Sequence, residues 1–202
     1  MTDERATGII LRTRPLTETS LIVQWLTAEA GRISTVAKGA RRPKSTFIGK
    51  LDLYYEADFS FQRARKSTLH TLREVKLRAT HTALRTDFTA LEIAARAGRR
   101  IERTTEEETP IPEIFTLFKA FLNELATSPL EPSLLPAFEI KLLETLGFLP
   151  EFEGSNLPIG SRRALEHLRS LDWPAIRRVK LAPSQLVEIE TFLNRCFAEA
   201  MA

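Results

Sequence analysis

The sequence predicts an α+β protein with two parts, a small β-barrel at the N-terminus and an all-helical region after it. Residues 1–80 contain β-branched runs with period-two alternation, whereas apolar residues from about position 81 recur at spacings of three and four. The charge divides at the same place, because residues 1–80 hold 15 Lys and Arg against 8 Asp and Glu, whereas residues 81–202 hold 14 against 18. We therefore predict two domains, 1–80 and 81–202.

Five strands are predicted in the first part. They are the β-branched or alternating segments 7–14, 20–27, 32–38, 51–62 and 68–78. The alternation is longest in 51–62, where apolar and aromatic residues occupy every second position. Five strands in so short a chain suit a closed barrel, and the OB-fold fits both the count and the length. An OB-fold binds through its loops between strands 1 and 2 and between strands 4 and 5.

The second part is predicted to be helical throughout. The predicted helices are 83–103, one beginning near Pro112, 134–146, 162–171 and 183–200. The stretch 104–110 is a polar, acidic connector, for which a solvated linker is the simplest interpretation. The stretch 151–161 is predicted to be a loop.

Cations are concentrated in the predicted barrel. Between Glu29 and Asp52 the chain carries six basic residues and no acidic one. Several cations on a semi-rigid turn suit a phosphate backbone, although a solvated basic loop is the alternative. A second basic turn follows the fourth predicted strand. The predicted nucleic-acid contacts are Arg12, Arg14, Arg32, Lys38, Arg41, Arg42, Lys44, Lys50, Arg63, Arg65 and Lys66. Tyr54 is a weaker candidate, as an exposed ring that could stack on a base.

We find no pattern for an active site, so we do not expect an enzyme. The three histidines have no Cys, Asp or Glu partner at ligand spacing, and neither a nucleotide-phosphate loop nor a dinucleotide fingerprint occurs. The single cysteine, Cys196, cannot form an intrachain disulfide or a multi-cysteine zinc site. No signal peptide and no apolar run long enough for a bilayer is present, so we expect a cytoplasmic protein without a cofactor.

Two motifs resemble the bacterial RecO family. The first joins TGIILR at 7–12, Glu18 and the stretch 26–42, in which Thr-x-x-x-Gly-Arg, a strand and Lys-Gly-Ala-Arg-Arg follow one another. The second is FEIKLLETLGFLP at 138–150, which is similar to the helix before that family's zinc loop. The family often has zinc-binding cysteines directly after this helix, but residues 151–160 contain none, so we expect no zinc here.

The resemblance implies an N-terminal OB-fold, a helical C-terminal domain and a function in recombination. It implies binding of single- and double-stranded DNA, annealing of complementary strands and loading of RecA onto DNA coated by the single-stranded-DNA-binding protein SSB, usually with RecR. The helical domain would take the acidic C-terminal tail of SSB, for which Lys119 and Lys141 are weak candidates, since an ordinary exposed lysine is the favoured interpretation of each. A protein-interaction adaptor and an RNA-binding OB-fold protein remain as alternatives.

Overall fold

The barrel forms as predicted. The computed structural model describes residues 3–127, 129–152 and 155–201. Its strands are β1 (Glu4–Pro15), β2 (Leu21–Thr27), β3 (Gly31–Ala37), β4 (Glu56–Gln62) and β5 (Leu69–Ala79). They close in the order β1-β2-β3-β5-β4, with β4 returning to β1. Only the β3–β5 pairing among them is parallel. This is the five-stranded OB barrel that the sequence predicts.

The barrel interior is filled by the side chains that point inward from the strands. Trp25 and Phe59 are both buried, and their rings stack with centroids 4.1 Å apart. The indole N–H of Trp25 donates to the hydroxyl of Thr35 at 2.9 Å, so the polar edge of the ring is satisfied inside the barrel. Phe61 continues the aromatic cluster at 5.7 Å from Phe59. The period-two alternation therefore identified the core face of β4, where Ala57, Phe59 and Phe61 are buried, whereas Leu53 of the same predicted face is exposed.

The fourth strand is shorter than predicted, because the chain turns before it. The predicted strand 51–62 begins only at Glu56. Tyr54 has a left-handed φ of 62°, which departs from the regular extended backbone of a strand, and its N–H donates to the carbonyl of Ile10 at 2.8 Å. The Tyr54 side chain is buried, with 4% of its surface exposed. The idea that Tyr54 stacks on a base is therefore wrong.

The rest of the chain is helical, apart from a segment that belongs with the barrel. The helices are α1 (Ala83–Thr86), α2 (Phe88–Thr104), α3 (Pro112–Leu125), α4 (Leu134–Thr145), α5 (Ile159–Ser170), α6 (Trp173–Ile176) and α7 (Pro183–Ala200). The predicted helix 83–103 is interrupted at Asp87, which is extended and whose carboxylate caps the N–H groups of Thr89 and Ala90. The short helix α6 was not predicted; Asp172 caps it.

Helix α4 is the centre of the helical unit. Its Phe138 is fully buried and stacks on Phe121 of α3 at 4.5 Å. Its Glu139 is also fully buried, where Arg96 and Arg100 of α2 approach the same carboxylate oxygen at 3.3 and 2.9 Å. Two of the arginines near the end of α2 therefore neutralise a buried charge, which would otherwise be costly.

The chain divides into two compact units, and the division is not continuous along the sequence. One unit contains residues 1–81 together with 105–116; the other contains 82–104 and 117–202. Residues 105–109, which we call the docked segment, lie against the start of β3. The N–H of Glu108 donates to the carbonyl of Arg32 at 2.8 Å, and Glu107 forms an isolated parallel bridge with Arg32. The acidic connector is thus attached to the barrel through its backbone and is not a free linker, although residues 106–110 are exposed to solvent.

Gly31 makes this docking possible. It has a φ of +66°, and a Cβ placed there would lie 2.2 Å from the carbonyl oxygen of Thr109. Any larger residue would displace the docked segment as well as adopt an unfavourable backbone conformation.

We predict that Gly31→Ala destabilises the protein by more than the ~1–2 kcal/mol that a left-handed non-glycine residue costs. Gly49→Ala is the matched control, because Gly49 has a φ of +70° but open space around a Cβ. The measurement is the free energy of unfolding in urea for both variants. Equal losses would show that the docked segment contributes nothing to the stability of the barrel.

Candidate nucleic-acid interface

The predicted cationic stretch lies at one end of the barrel, beside the loop between β1 and β2. Pro15 pairs with Leu21, and Leu21 pairs with Ala37, so both loops leave the barrel at this end. They are joined directly, because the N–H of Arg41 donates to the carbonyl of Thr19 at 3.0 Å. We call residues 38–50 the cationic loop.

The cationic loop is held in shape by successive turns and by one buried side chain. The N–H of Arg42 donates to the carbonyl of Gly39, and that of Ser45 to the carbonyl of Arg42, each at 3.0 Å. Gly39 adopts a φ of 69°, which lets the chain turn directly after β3. Phe47 is only 7% exposed and belongs to the core cluster of the barrel. The cations are therefore displayed on an anchored backbone, and nothing in the sequence pattern had marked Phe47 as the anchor.

Most of the predicted contacts in this region are exposed. Lys38, Arg41, Arg42 and Lys44 are exposed on the loop, Arg12 and Arg14 are exposed on β1, and Lys50 is half-buried. The guanidinium of Arg41 donates to the carbonyl of Thr17 at 3.3 Å. Within residues 3–127, 129–152 and 155–201, the side chains of Lys38, Arg42 and Lys44 form neither a hydrogen bond nor an ion pair. Their charge is available to a ligand.

Arg32 differs from the other predicted contacts, because its side chain is buried. Only 8% of its surface is exposed, and its guanidinium donates to the hydroxyl and the carbonyl oxygen of Thr105 at 2.7 and 2.6 Å. A group committed in this way cannot reach a phosphate. We remove Arg32 from the proposed contacts and assign it to the attachment of the docked segment.

The second basic turn, residues 63–66, leaves the barrel at the opposite end. Glu4, at the start of β1, pairs with Phe61 near the end of β4, so this turn lies where β1 begins. Arg63 is already occupied: it forms two hydrogen bonds to Glu4, at 2.8 and 2.9 Å, and one to Glu108 at 3.1 Å. Arg65 and Lys66 are exposed. The cationic loop and the second basic turn therefore lie at opposite ends of the barrel and do not form one continuous patch.

The ion pair between Glu4 and Arg63 stabilises both charges. The hydrogen bond from Arg63 lowers the pKa of the Glu4 carboxyl, and the same bond raises the pKa of the guanidinium. Arg63 also lies 5.7 Å from the centroid of the Phe61 ring. A phosphate would have to displace two carboxylates to bind here, so Arg63 is a poor candidate for contact with nucleic acid.

His70 completes the cluster beneath this turn. It is 1% exposed, stacks on Phe61 at 5.4 Å, and accepts a hydrogen bond from the N–H of Ala64 on Nδ1. Its Nε2 lies 3.0 Å from a carboxylate oxygen of Glu108. Burial lowers the pKa of His70, and this outweighs the opposing effect of the Glu108 charge. Sequence spacing could not reveal this pair, because 38 positions separate the two residues.

The two lysines proposed for a partner differ in their surroundings. Lys141 on α4 donates to the carbonyl of Arg169 at 2.7 Å, and burial lowers its pKa. Lys119 on α3 is half-buried and has contacts of its own. Neither is a fully exposed cation.

In the described part of the chain, no group of three or more His, Cys, Asp or Glu side chains could hold a metal ion. Cys196 is buried on α7, and burial raises the pKa of its thiol. The predicted loop 151–161 includes positions 153 and 154, which lie outside the described residues. Among the helices that could be assessed, none has the length and apolar character needed to cross a membrane.

An OB barrel with an exposed cationic loop, followed by a helical unit, defines a two-part OB-fold protein. The family model "Recombination protein O N terminal" matches residues 1–81, and "Recombination protein O C terminal" matches residues 85–156. The chain belongs to the RecO family of DNA repair proteins, which confirms the resemblance seen in the two sequence motifs.

Curated relatives agree with this assignment. "DNA repair protein RecO" of Haemophilus influenzae (strain PittGG) is 34% identical over 163 residues, covering 79% of this chain and 67% of the relative. The protein of the same name from Anaeromyxobacter sp. (strain K) is 30% identical over 149 residues, and that from Syntrophobacter fumaroxidans is 29% identical over 188 residues. The match to the Anaeromyxobacter protein covers 74% of this chain and 59% of that protein. The match to the Syntrophobacter protein covers 93% of this chain and 73% of that protein.

We predict that the free energy of unfolding decreases when the pH is lowered, because His70 is buried. The unfolded histidine gains a proton near pH 6.5, whereas the folded one resists protonation, so the free energy of unfolding is retained above this value and lost as the pH falls towards the folded pKa. The loss is at most about 1.4 kcal/mol per pH unit. Urea unfolding at pH 7.5 and 5.5 measures it, and the variant His70→Gln should lose less. An equal loss in both proteins would assign the effect to other groups.

Proposed function

We propose that this protein is a recombination mediator in DNA repair. It binds single- and double-stranded DNA through the barrel, anneals complementary strands and helps to load RecA onto SSB-coated single strands, without nucleotide hydrolysis. The observation that carries the proposal is the cationic loop, whose backbone is anchored by Phe47 and whose exposed Lys38, Arg42 and Lys44 form no ion pair with any residue that the structure describes. The family membership supports the same conclusion.

The loop suits recognition of phosphate rather than of bases. Lysine and arginine release counterions when they bind a phosphate backbone, and this supplies affinity that does not depend on sequence. Tyr54, the aromatic candidate for base stacking, is buried in the barrel. The proposed contacts are Arg12, Arg14, Lys38, Arg41, Arg42, Lys44 and Lys50, with Arg65 and Lys66 as a separate and weaker pair at the other end.

Annealing follows from neutralising the phosphates. Two single strands repel each other through their backbones, and a basic surface reduces this repulsion until complementary bases can pair. Base pairing then supplies the free energy, so the scheme needs neither a cofactor nor hydrolysis. The protein acts as a non-enzymatic surface that raises the rate of encounter.

The helical part is the proposed region for protein partners. We propose that it binds the acidic C-terminal tail of SSB, with Lys119 and Lys141 as weak candidates, and that RecR and, indirectly, the RecA filament are further partners in the cytoplasm. Because Lys141 already donates to Arg169, its contribution would require that bond to open. The division into domains 1–80 and 81–202 is likewise a proposal about which parts act separately.

The variant Arg41→Gln, Arg42→Gln, Lys44→Gln tests the loop. Each lost contact to a single strand should reduce the slope of log affinity against log salt by about 0.7, a total of roughly 2. Fluorescence anisotropy of a labelled oligonucleotide between low and moderate salt measures the slope. The control Arg99→Gln, Arg103→Gln, Arg163→Gln removes three exposed charges of the helical unit. If both variants reduce the slope equally, net charge and not the loop determines binding.

Strand annealing on SSB-coated DNA without ATP tests the function itself. We expect the protein to accelerate annealing of complementary strands, because it neutralises both backbones, and the loop variant to lose most of this acceleration. Competition by a matched RNA strand distinguishes DNA from RNA preference. A protein that binds the SSB tail but does not accelerate annealing would be an adaptor instead.

A further inference from the structure

A cleft of about 850 Å³ opens on the barrel at strands β1, β4 and β5. Its volume falls within the ~300–1,000 Å³ of typical ligand sites. It differs from the usual OB-fold surface, which lies over strands 2 and 3. Residues Thr46 and Lys50 of the cationic loop also line it, so the cleft adjoins the site already described.

Two rows of residues cross the three strands of this cleft. In one row Arg5 pairs with Ser60 and Ser60 with Glu74; in the next, Thr7 pairs with Asp58 and Asp58 with Lys76. Members of both rows lie two positions apart on each strand and thus share a face of the sheet. Arg5 on β1 and Lys76 on β5 therefore occupy the two sides of the cleft.

The carboxylates of the cleft are largely engaged within the protein. Asp58 accepts hydrogen bonds from Arg78 at 2.6 Å and from the Thr7 hydroxyl at 2.8 Å, and the bond from Arg78 lowers its pKa. Glu29 accepts from the N–H of Thr7 at 3.3 Å. Glu74 remains as the acidic group whose charge faces the cleft without such a bond in the described ranges.

The cations of the cleft are mostly unengaged. Among the described residues, the side chains of Arg5, Lys50 and Lys76 form no hydrogen bond and no ion pair. Arg73 is occupied by Gln62 at 2.6 Å. The lining as a whole carries four cations against three carboxylates, an excess of one positive charge, which attracts an anion.

We propose that this cleft holds the phosphate backbone of a second single strand, while the cationic loop holds the first. The inference rests on the proposed annealing function, which requires two strands on one surface. Lys50 belongs to the loop and lines the cleft, so the two tracts meet at a cation that reduces repulsion between their phosphates. The exposed hydroxyl of Thr46 at the cleft offers a sugar–phosphate contact that carries no sequence information.

The test counts strands bound per chain, using full-length protein and an oligothymidylate of about eight nucleotides, within the site size of one OB-fold. Such a strand cannot pair with itself, and it is too short to fill both tracts. The cleft variant is Arg5→Gln, Lys76→Gln; the loop variant is Arg41→Gln, Lys44→Gln; the matched control is Arg103→Gln, Arg163→Gln. Equal thermal midpoints establish that the variants are folded. Saturation is measured by sedimentation of labelled strand with protein.

We expect two strands per chain for the unaltered protein and the control, and one for each of the two site variants. The cleft variant should keep the first-strand affinity within about threefold, because its loop is unchanged. It should lose annealing, because the second strand is no longer held. One strand per chain in the unaltered protein would overturn the second tract while leaving DNA binding intact. Absence of any bound strand would instead refute the proposed function.

An acidic decapeptide provides the contrasting ligand. If the cleft variant still binds two strands per chain but loses affinity for the peptide, the cleft is a docking site for protein and the inference is wrong. If the peptide binds all variants equally and the strand count falls only in the site variants, the second tract is supported.

Discussion

The apolar interior of the barrel is the constraint on which the other features depend. Trp25 on β2 stacks on Phe59 of β4, so the ring pair joins two strands that do not pair with each other in the sheet. Phe47 of the cationic loop is buried in the same cluster. Burial contributes roughly 25 cal/mol per Å² of apolar surface. Because this packing fixes the loop, its cations need no carboxylate partners to hold their positions.

The two ends of the barrel use their charges in opposite ways. At one end Glu4 and Glu108 neutralise Arg63, and at the other Lys38, Arg42 and Lys44 remain exposed. The docked segment causes much of this difference, since it brings Glu108 to the turn after β4. The positive charge of the first 80 residues is therefore not spread evenly over the barrel. It emerges mainly at the cationic loop and beside the cleft that shares Lys50.

Local patterns predicted the regular elements and the position of the cationic loop. The five strands, the change to helical spacing near residue 81 and the buried position of Phe59 all follow from periodicity. The early end of the predicted alternation could not be foreseen, because the left-handed turn at Tyr54 occurs within an unbroken period-two pattern. The role of Arg32 was hidden because its partner, Thr105, lies 73 positions away.

The docked segment shows why contacts between residues far apart in the chain cannot be predicted from local sequence patterns. Its acidic composition is typical of a solvated linker, and what fixes it is the space left by Gly31 and the carbonyl of Arg32. Both belong to residues whose positions are set by the pairing of β3 with β2. Most of the residues between Arg32 and Thr105 belong to regular strands and helices, so sequence distance says nothing about this contact. The buried guanidinium donates two hydrogen bonds to Thr105, which explains why an arginine in a cationic stretch stabilises the fold instead of binding a ligand.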